Sequence, residues 1–153
     1  MANYNCAIRT NYFHVADEKR FRELLGQACG CEDAVILWEE KDQDGKTVFG
    51  FGCYGGNSSI SVVEGDEDEE EFEDTSYDKF IEELQKCVAE DDAVIIFVAG
   101  NENLRYVAGT ALIITRSEVK YIDLIETAVK EAARMLGQPG WRSKCDCWKH
   151  QGI

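Results

Sequence analysis

Asp33-Ala34-Val35-Ile36-Leu37-Trp38 returns at a constant offset as Asp92-Ala93-Val94-Ile95-Ile96-Phe97. The register holds without a gap over a longer unit: Phe21 matches Phe80, Glu23 matches Glu82, Leu25 matches Leu84, Val48 matches Val107 and Gly50 matches Gly109. An offset kept through a helical segment, a turn and two strand-like segments points to an internal duplication of a helix-strand-strand unit. The repeat is architectural and carries no chemistry of its own.

Working outward, residues 6–15 read as a first strand, rich in β-branched and aromatic side chains. Asp17 offers an N-cap to a helix over 18–28, with Phe21, Leu24, Leu25 and Ala28 at helical spacing and Gly30 where it would stop. Residues 34–40 and 46–54 flank Asp42-Gln43-Asp44-Gly45, a strong hairpin signal. The second strand of that hairpin sets Phe49, Phe51 and Cys53 on one face and Val48, Gly50, Gly52 and Tyr54 on the other. A second helix over 77–89, capped by Ser76, is followed by a strand at 93–99 apolar enough for burial on both faces, a partner strand over 106–115 and a last helix over 122–136 ended by Gly137. The resulting order predicts an α+β fold: a ferredoxin-like antiparallel sheet with helices on one face, extended by an extra strand and helix. An open sheet with a different strand order is the alternative. With one proline and no spacer, 1–153 reads as a single domain with an irregular acidic loop at about 57–75 and a tail at about 138–153.

The formal charge is −14, from 30 acids and 16 bases. Nine of the acids lie in the eleven positions 64–74, and without them 21 acids face 16 bases, so more than half of the imbalance is one segment. Direct nucleic-acid binding, which draws on clustered Lys and Arg, is excluded as a first reading. A row of carboxylates suits a basic partner instead. The candidate partner-binding residues are Glu67, Asp68, Glu69, Glu70, Glu71, Glu73 and Asp74, beside the plain reading of a solvated loop. Spaced carboxylates can imitate the phosphate row of DNA, and Asp78, Glu82, Glu83, Glu90, Asp91 and Asp92 extend the acidic region.

Seven cysteines with no apolar span and no export signal suggest a cytoplasmic protein with reduced thiols, without a membrane segment. Cys29-Gly30-Cys31 and Cys145-Asp146-Cys147 could hold a zinc ion in a structural or adaptor domain. A single intervening residue is short for such a site, and scattered free thiols are the plainer reading. The glycine-lined strand, Gly50 and Gly52, admits a small ligand or, more simply, a packed neighbour. His14 reads as a strand-face residue, and Arg9, Asn11 and Arg116 could meet if the first and last strands are neighbours. No nucleophile or dinucleotide motif is present, so the chain reads as non-enzymatic.

Asn11-Tyr12-Phe13-x-Val15 with Asp17-Glu18, Glu39-Glu40-Lys41-Asp42 with Gly50-Phe51-Gly52-Cys53-Tyr54-Gly55-Gly56, and Ala89-Glu90-Asp91-Asp92-Ala93-Val94-Ile95-Ile96 together resemble a family of short acidic proteins carried by mobile elements of intestinal bacteria. The resemblance covers most of the chain and transfers no catalytic residue. It implies a context, in which small acidic proteins block host defence, some by mimicking DNA. The partner it suggests is a basic host protein, such as a nucleic-acid-handling defence enzyme. A homodimer through a sheet edge or open face is compatible with the fold.

Overall fold

The structure is a computed structural model, and it describes residues 4–28, 34–54, 60, 62–64, 74–102 and 106–141. A six-stranded antiparallel sheet forms its centre, in the order β2-β3-β1-β6-β7-β8: β1 is Tyr4–Thr10, β2 Ile36–Lys41, β3 Thr47–Tyr54, β6 Val94–Glu102, β7 Tyr106–Ile114 and β8 Val119–Asp123. A separate two-stranded ribbon pairs β4, Val62–Glu64, with β5, Asp74–Ser76. The helices are α1, Glu18–Gln27, α2, Tyr77–Cys87, and α3, Leu124–Leu136.

Local chemistry explains most of the boundaries. Asp17 caps α1 by accepting from the Arg20 N–H at 3.0 Å. At the β2–β3 turn the Asp42 carboxylate accepts from the N–H groups of Asp44 and Lys46, while Gly45 takes a left-handed φ of 77°. Gly137 ends α3 in the left-handed region, its N–H on Arg134 O and that of Gln138 on Ala133 O, the paired bonds of a Schellman cap.

One face of the sheet meets α1 and α2 over a core that contains Phe13, Phe21, Phe49, Phe51 and Phe80. Their rings meet edge-on or tilted, with Phe21 and Phe49 centroids 5.1 Å apart and Phe51 and Phe80 5.9 Å apart. Phe49, Phe51 and Cys53 point into this core, as the strand alternation predicts, and Val94, Ile96 and Ile114 join them from β6 and β7. Ile60, ahead of the ribbon, is buried there as well.

Three points go beyond or against the sequence reading. First, the added helix does not share the face that α1 and α2 occupy together. Leu112 and Ile114 of β7 face α1 and α2, so Gly109 points the other way, and a Cβ there would stand 3.0 Å from Leu124 at the start of α3. Helix α3 therefore lies on the opposite face, over the β7–β8 end, and only its Ala133 is buried. Second, residues 119–123 form the edge strand β8, where a helix starting at 122 was expected. A short strand of mixed polarity at a sheet edge has no buried periodicity to reveal it. Third, β6 is not covered on both faces, because Phe97 stands half exposed.

The first strand also departs from its pattern. Arg9 pairs with Gly52, but Phe13 exchanges both hydrogen bonds with Phe49, so Thr10, Asn11 and Tyr12 stand opposite only Gly50 and Phe51. This is a β-bulge, and the buried Thr10 Oγ1 completes it by accepting the Phe51 N–H at 3.0 Å.

Glycine substitutions separate crowding from freedom. A Cβ at Gly52 would lie 2.5 Å from Ile8 O and 3.2 Å from the Trp38 ring, whereas one at Gly26 in α1 meets nothing within 4 Å. Gly52→Ala is expected to destabilise by about 2 kcal/mol through overpacking, and Gly26→Ala to stabilise by roughly 0.5–1 kcal/mol through helix propensity. Denaturant midpoints of the two variants check both signs.

Candidate functional site

Two features stand out once the fold is drawn: the sheet face left open by α3, and a charged cluster where the bulge leaves β1. On the open face β2 presents Ile36 and Trp38, β3 presents Gly50, Gly52 and Tyr54, β1 presents Ala7 and Arg9, and β6 presents Ile95, Phe97 and Ala99. Register places Ile36, Gly52, Arg9, Phe97 and Ala111 in one row across five strands. Large apolar side chains stay exposed here, among them Ile36, Tyr54, Phe97 and, from the bulge, Tyr12.

The two glycines shape this face. The Tyr12 ring lies over Gly50, 3.4 Å from where a Cβ would stand, and the Trp38 ring covers Gly52. The Arg9 guanidinium sits 4.6 Å from the Trp38 ring centroid in a cation–π contact. The space left by the missing side chains is thus taken by the protein's own rings, the packed neighbour that the glycine-lined strand suggests.

The charged cluster centres on His14. Its Nε2 lies 2.7 Å from an Asp42 carboxylate oxygen in the β2–β3 turn, and its Nδ1 lies 2.8 Å from Asp92 ahead of β6. The His14 N–H also donates to Asp92, as does the N–H of Ala93. With a carboxylate on each ring nitrogen, the arrangement favours the imidazolium form, which can donate to both. The hydrogen bonds from Asp42 and Asp92 raise the His14 pKa, with burial opposing them. Contact with the imidazolium lowers that of Asp42. Burial works against the Asp92 carboxylate, but the N–H groups of His14 and Ala93 outweigh it and the net direction is down. Asn11 reinforces the same junction, donating to Ala93 O at 3.0 Å and accepting from the Ile95 N–H at 2.8 Å. His14 is therefore a clamp between three segments, more than the strand-face residue its alternation with Phe13 and Val15 suggests.

The remaining sequence candidates distribute as follows. Arg9, Asn11 and Arg116 do not meet: Arg9 goes to Trp38, Asn11 to Ala93 and Ile95, and Arg116 to Val88 O at 3.4 Å. In the wider acidic region Glu83 holds Arg20 and Lys86, and Asp92 holds His14, whereas Asp78, Glu82, Glu90 and Asp91 are exposed. Glu67, Asp68, Glu69, Glu70, Glu71 and Glu73 lie outside the described residues, and Asp74 is described only as the first residue of β5. Cys29, Cys31, Cys145 and Cys147 lie outside them too. Cys6, Cys53 and Cys87 are buried. Among the described residues no group of three or more His, Cys, Asp and Glu side chains is arranged to hold a metal ion. Among them also, no helix is long and apolar enough to cross a membrane.

Comparison with protein-family models, with curated proteins and with solved structures gave no match.

The clamp sets a pH dependence. Because the His14 pKa is raised above 6.5 on folding, its contribution is complete below about 6.5 and is lost as pH climbs through the raised value. Because those of Asp42 and Asp92 fall below 3.8, their contribution is present above that value and is lost as pH falls through the lowered ones. The clamp is strongest between these limits. The melting temperature is expected to drop between about pH 5.5 and about pH 8.5, and His14→Gln to shrink that drop. Thermal melts of the two proteins at both pH values decide it; an equal drop in the variant removes the clamp as its cause.

Proposed function

We propose that this chain is a non-enzymatic binding protein that presents an acidic surface to a basic protein partner. The observation that supports the reading is the acid excess itself, 30 acids against 16 bases. Arg20, Arg22, Lys79, Lys86, Lys130 and Arg134 are each engaged by a glutamate of the chain itself. None of them needs the acids at 64–74, and those nine carboxylates account for most of the −14. Such a field accelerates encounter with a positively charged surface and rejects phosphate backbones. A protein that handles nucleic acid carries a groove built for rows of negative charge, and carboxylates at 67–74 address that groove in place of DNA. A host defence enzyme is the partner class to which the resemblance to mobile-element proteins leads.

The finer description of the fold belongs to the same reading. The strand order β2-β3-β1-β6, with α1 and α2 on one face, supports a split βαβ unit of ferredoxin-like type, to which β7, β8 and α3 are added. Equal spacing supports the duplication: α1 and α2 begin 59 residues apart, as do β3 and β7. Phe21 and Phe80 are both fully buried, and Gly50 and Gly109 each lie beneath a side chain from a neighbouring segment.

The test is affinity capture from host lysate at low and at moderate salt. Wild type is compared with a variant carrying Glu67→Gln, Asp68→Asn, Glu69→Gln, Glu70→Gln and Glu71→Gln. A basic nucleic-acid-handling protein retained by wild type, weakened by salt at least tenfold, lost in the variant and displaced by duplex DNA is the expected result. Equal retention of the same protein by the variant at both salt concentrations refutes the acidic surface as the contact.

A further inference from the structure

We infer that the open face of the sheet pairs with the same face of a second copy of this chain. The face spans β2, β3, β1 and β6 and carries Ile36, Tyr54, Phe97 and Tyr12 at 46, 66, 49 and 41% exposure. A water-facing sheet in a charged protein normally alternates polar residues outward. Here the two central rows contain one charge, Arg9, and no carboxylate; Glu40 and Lys120 stand only at the rim. Aromatic rings and arginine with carboxylates and lysines absent is the composition of an interface centre.

Charge selects the occupant. A basic partner finds no acid to meet on these rows. Arg9 is already engaged by Trp38. The face therefore suits an apolar, uncharged surface, and the same face of a second copy supplies one. Area agrees. The four named side chains leave roughly 400 Å² exposed per copy, taking about 200 Å² for a whole large side chain. A pair thus hides about 800 Å² through them alone, and Trp38, Arg9, Ala7 and Ala99 bring the total to the ~1,000 Å² of a specific interface. A two-fold axis parallel to the strands sets each α3 outside the other copy's β2 edge, which closes the assembly at two.

The salt response separates this inference from the acidic-surface reading. Bringing together two chains of equal sign is opposed by repulsion, so self-association strengthens as salt screens it, whereas binding of a basic partner weakens. Sedimentation velocity of the full chain across a concentration series at low and moderate salt is expected to give twice the chain mass, with tighter association at the higher salt. Phe97→Glu and, independently, Ile36→Lys are expected to weaken association at least tenfold, while Met135→Glu, on the far end of α3, leaves it unchanged. Both patch positions are half exposed, so the variants keep the wild-type circular dichroism. A wild-type monomer at ~0.5 mM in moderate salt, a range that covers all but the weakest pairing, overturns the inference. So does a dimer whose affinity is indifferent to both folded variants.

Discussion

The one-residue bulge between Arg9 and Phe13 is the constraint on which the rest of this structure depends. Up to Arg9 the strand keeps its alternation, with Ile8 in the core and Arg9 on the open face. Three residues then face two on β3, and the parity reverses. Phe13 consequently enters the core, where its ring lies 5.6 Å from Phe21 and 6.2 Å from Phe51, and joins α1 to β3. Without the extra residue Phe13 would face solvent and a polar neighbour would enter the core, at a cost set by burying that group without a partner. Thr10 makes the irregularity tolerable, because its hydroxyl takes up the Phe51 N–H and donates to Asn11 O, leaving neither buried group unpaired.

The same bulge aims the residues around it. Tyr12 is turned out over Gly50, while His14 reaches Asp42 on one side and Asp92 on the other. The residues after it run on to the end of α2, where Ala16 donates to Cys87 O and Val15 pairs with Val88. A single insertion in one strand thus ties the β2–β3 turn, the second helix and the entry to β6. Beyond this junction the two sheet faces diverge: one is closed by α1 and α2 over the phenylalanines, and on the other, among the described residues, α3 lies over the β7–β8 end.

Much of this was legible in the sequence, and the failures have identifiable causes. Alternation on β3 separates Phe49, Phe51 and Cys53 from Val48, Gly50 and Gly52 without ambiguity, and the caps at Asp17 and Gly137 are chemically specific. The face taken by α3 was not legible. The amphipathic pattern of Leu124, Ile125, Ala128 and Ala132 says that one side of the helix is apolar, but not which side of the sheet receives it; that choice is made by Gly109, whose missing side chain admits Leu124. The candidate surfaces divided in the same way. Glycines at 50 and 52 signal a close approach, yet the approaching groups, Tyr12 and Trp38, come from strands whose register sequence alone does not supply. His14 was missed as a clamp because its partners are 28 and 78 residues away, and only the bulge brings them to its two nitrogens.

Charge is partitioned as firmly as hydrophobicity. Glu83 accepts from Arg20 of α1 and from Lys86 of α2, with Lys79 also nearby, and the guanidinium of Arg20 above all holds its pKa down to about 2. One acid thereby satisfies three bases at the seam between the two helices, and Arg22 bridges Glu18 and Glu39 between α1 and β2. Exposed pairs of this kind add little stability each. Their larger consequence is distribution: Arg20, Arg22 and Lys86 are gathered where the two helices meet each other and the hairpin. A net charge this far from zero keeps copies apart through most approaches. The proposed pairing sets against that repulsion a face whose described central rows hold no carboxylate, across Ile36, Arg9, Phe97 and the rings that cover the two glycines.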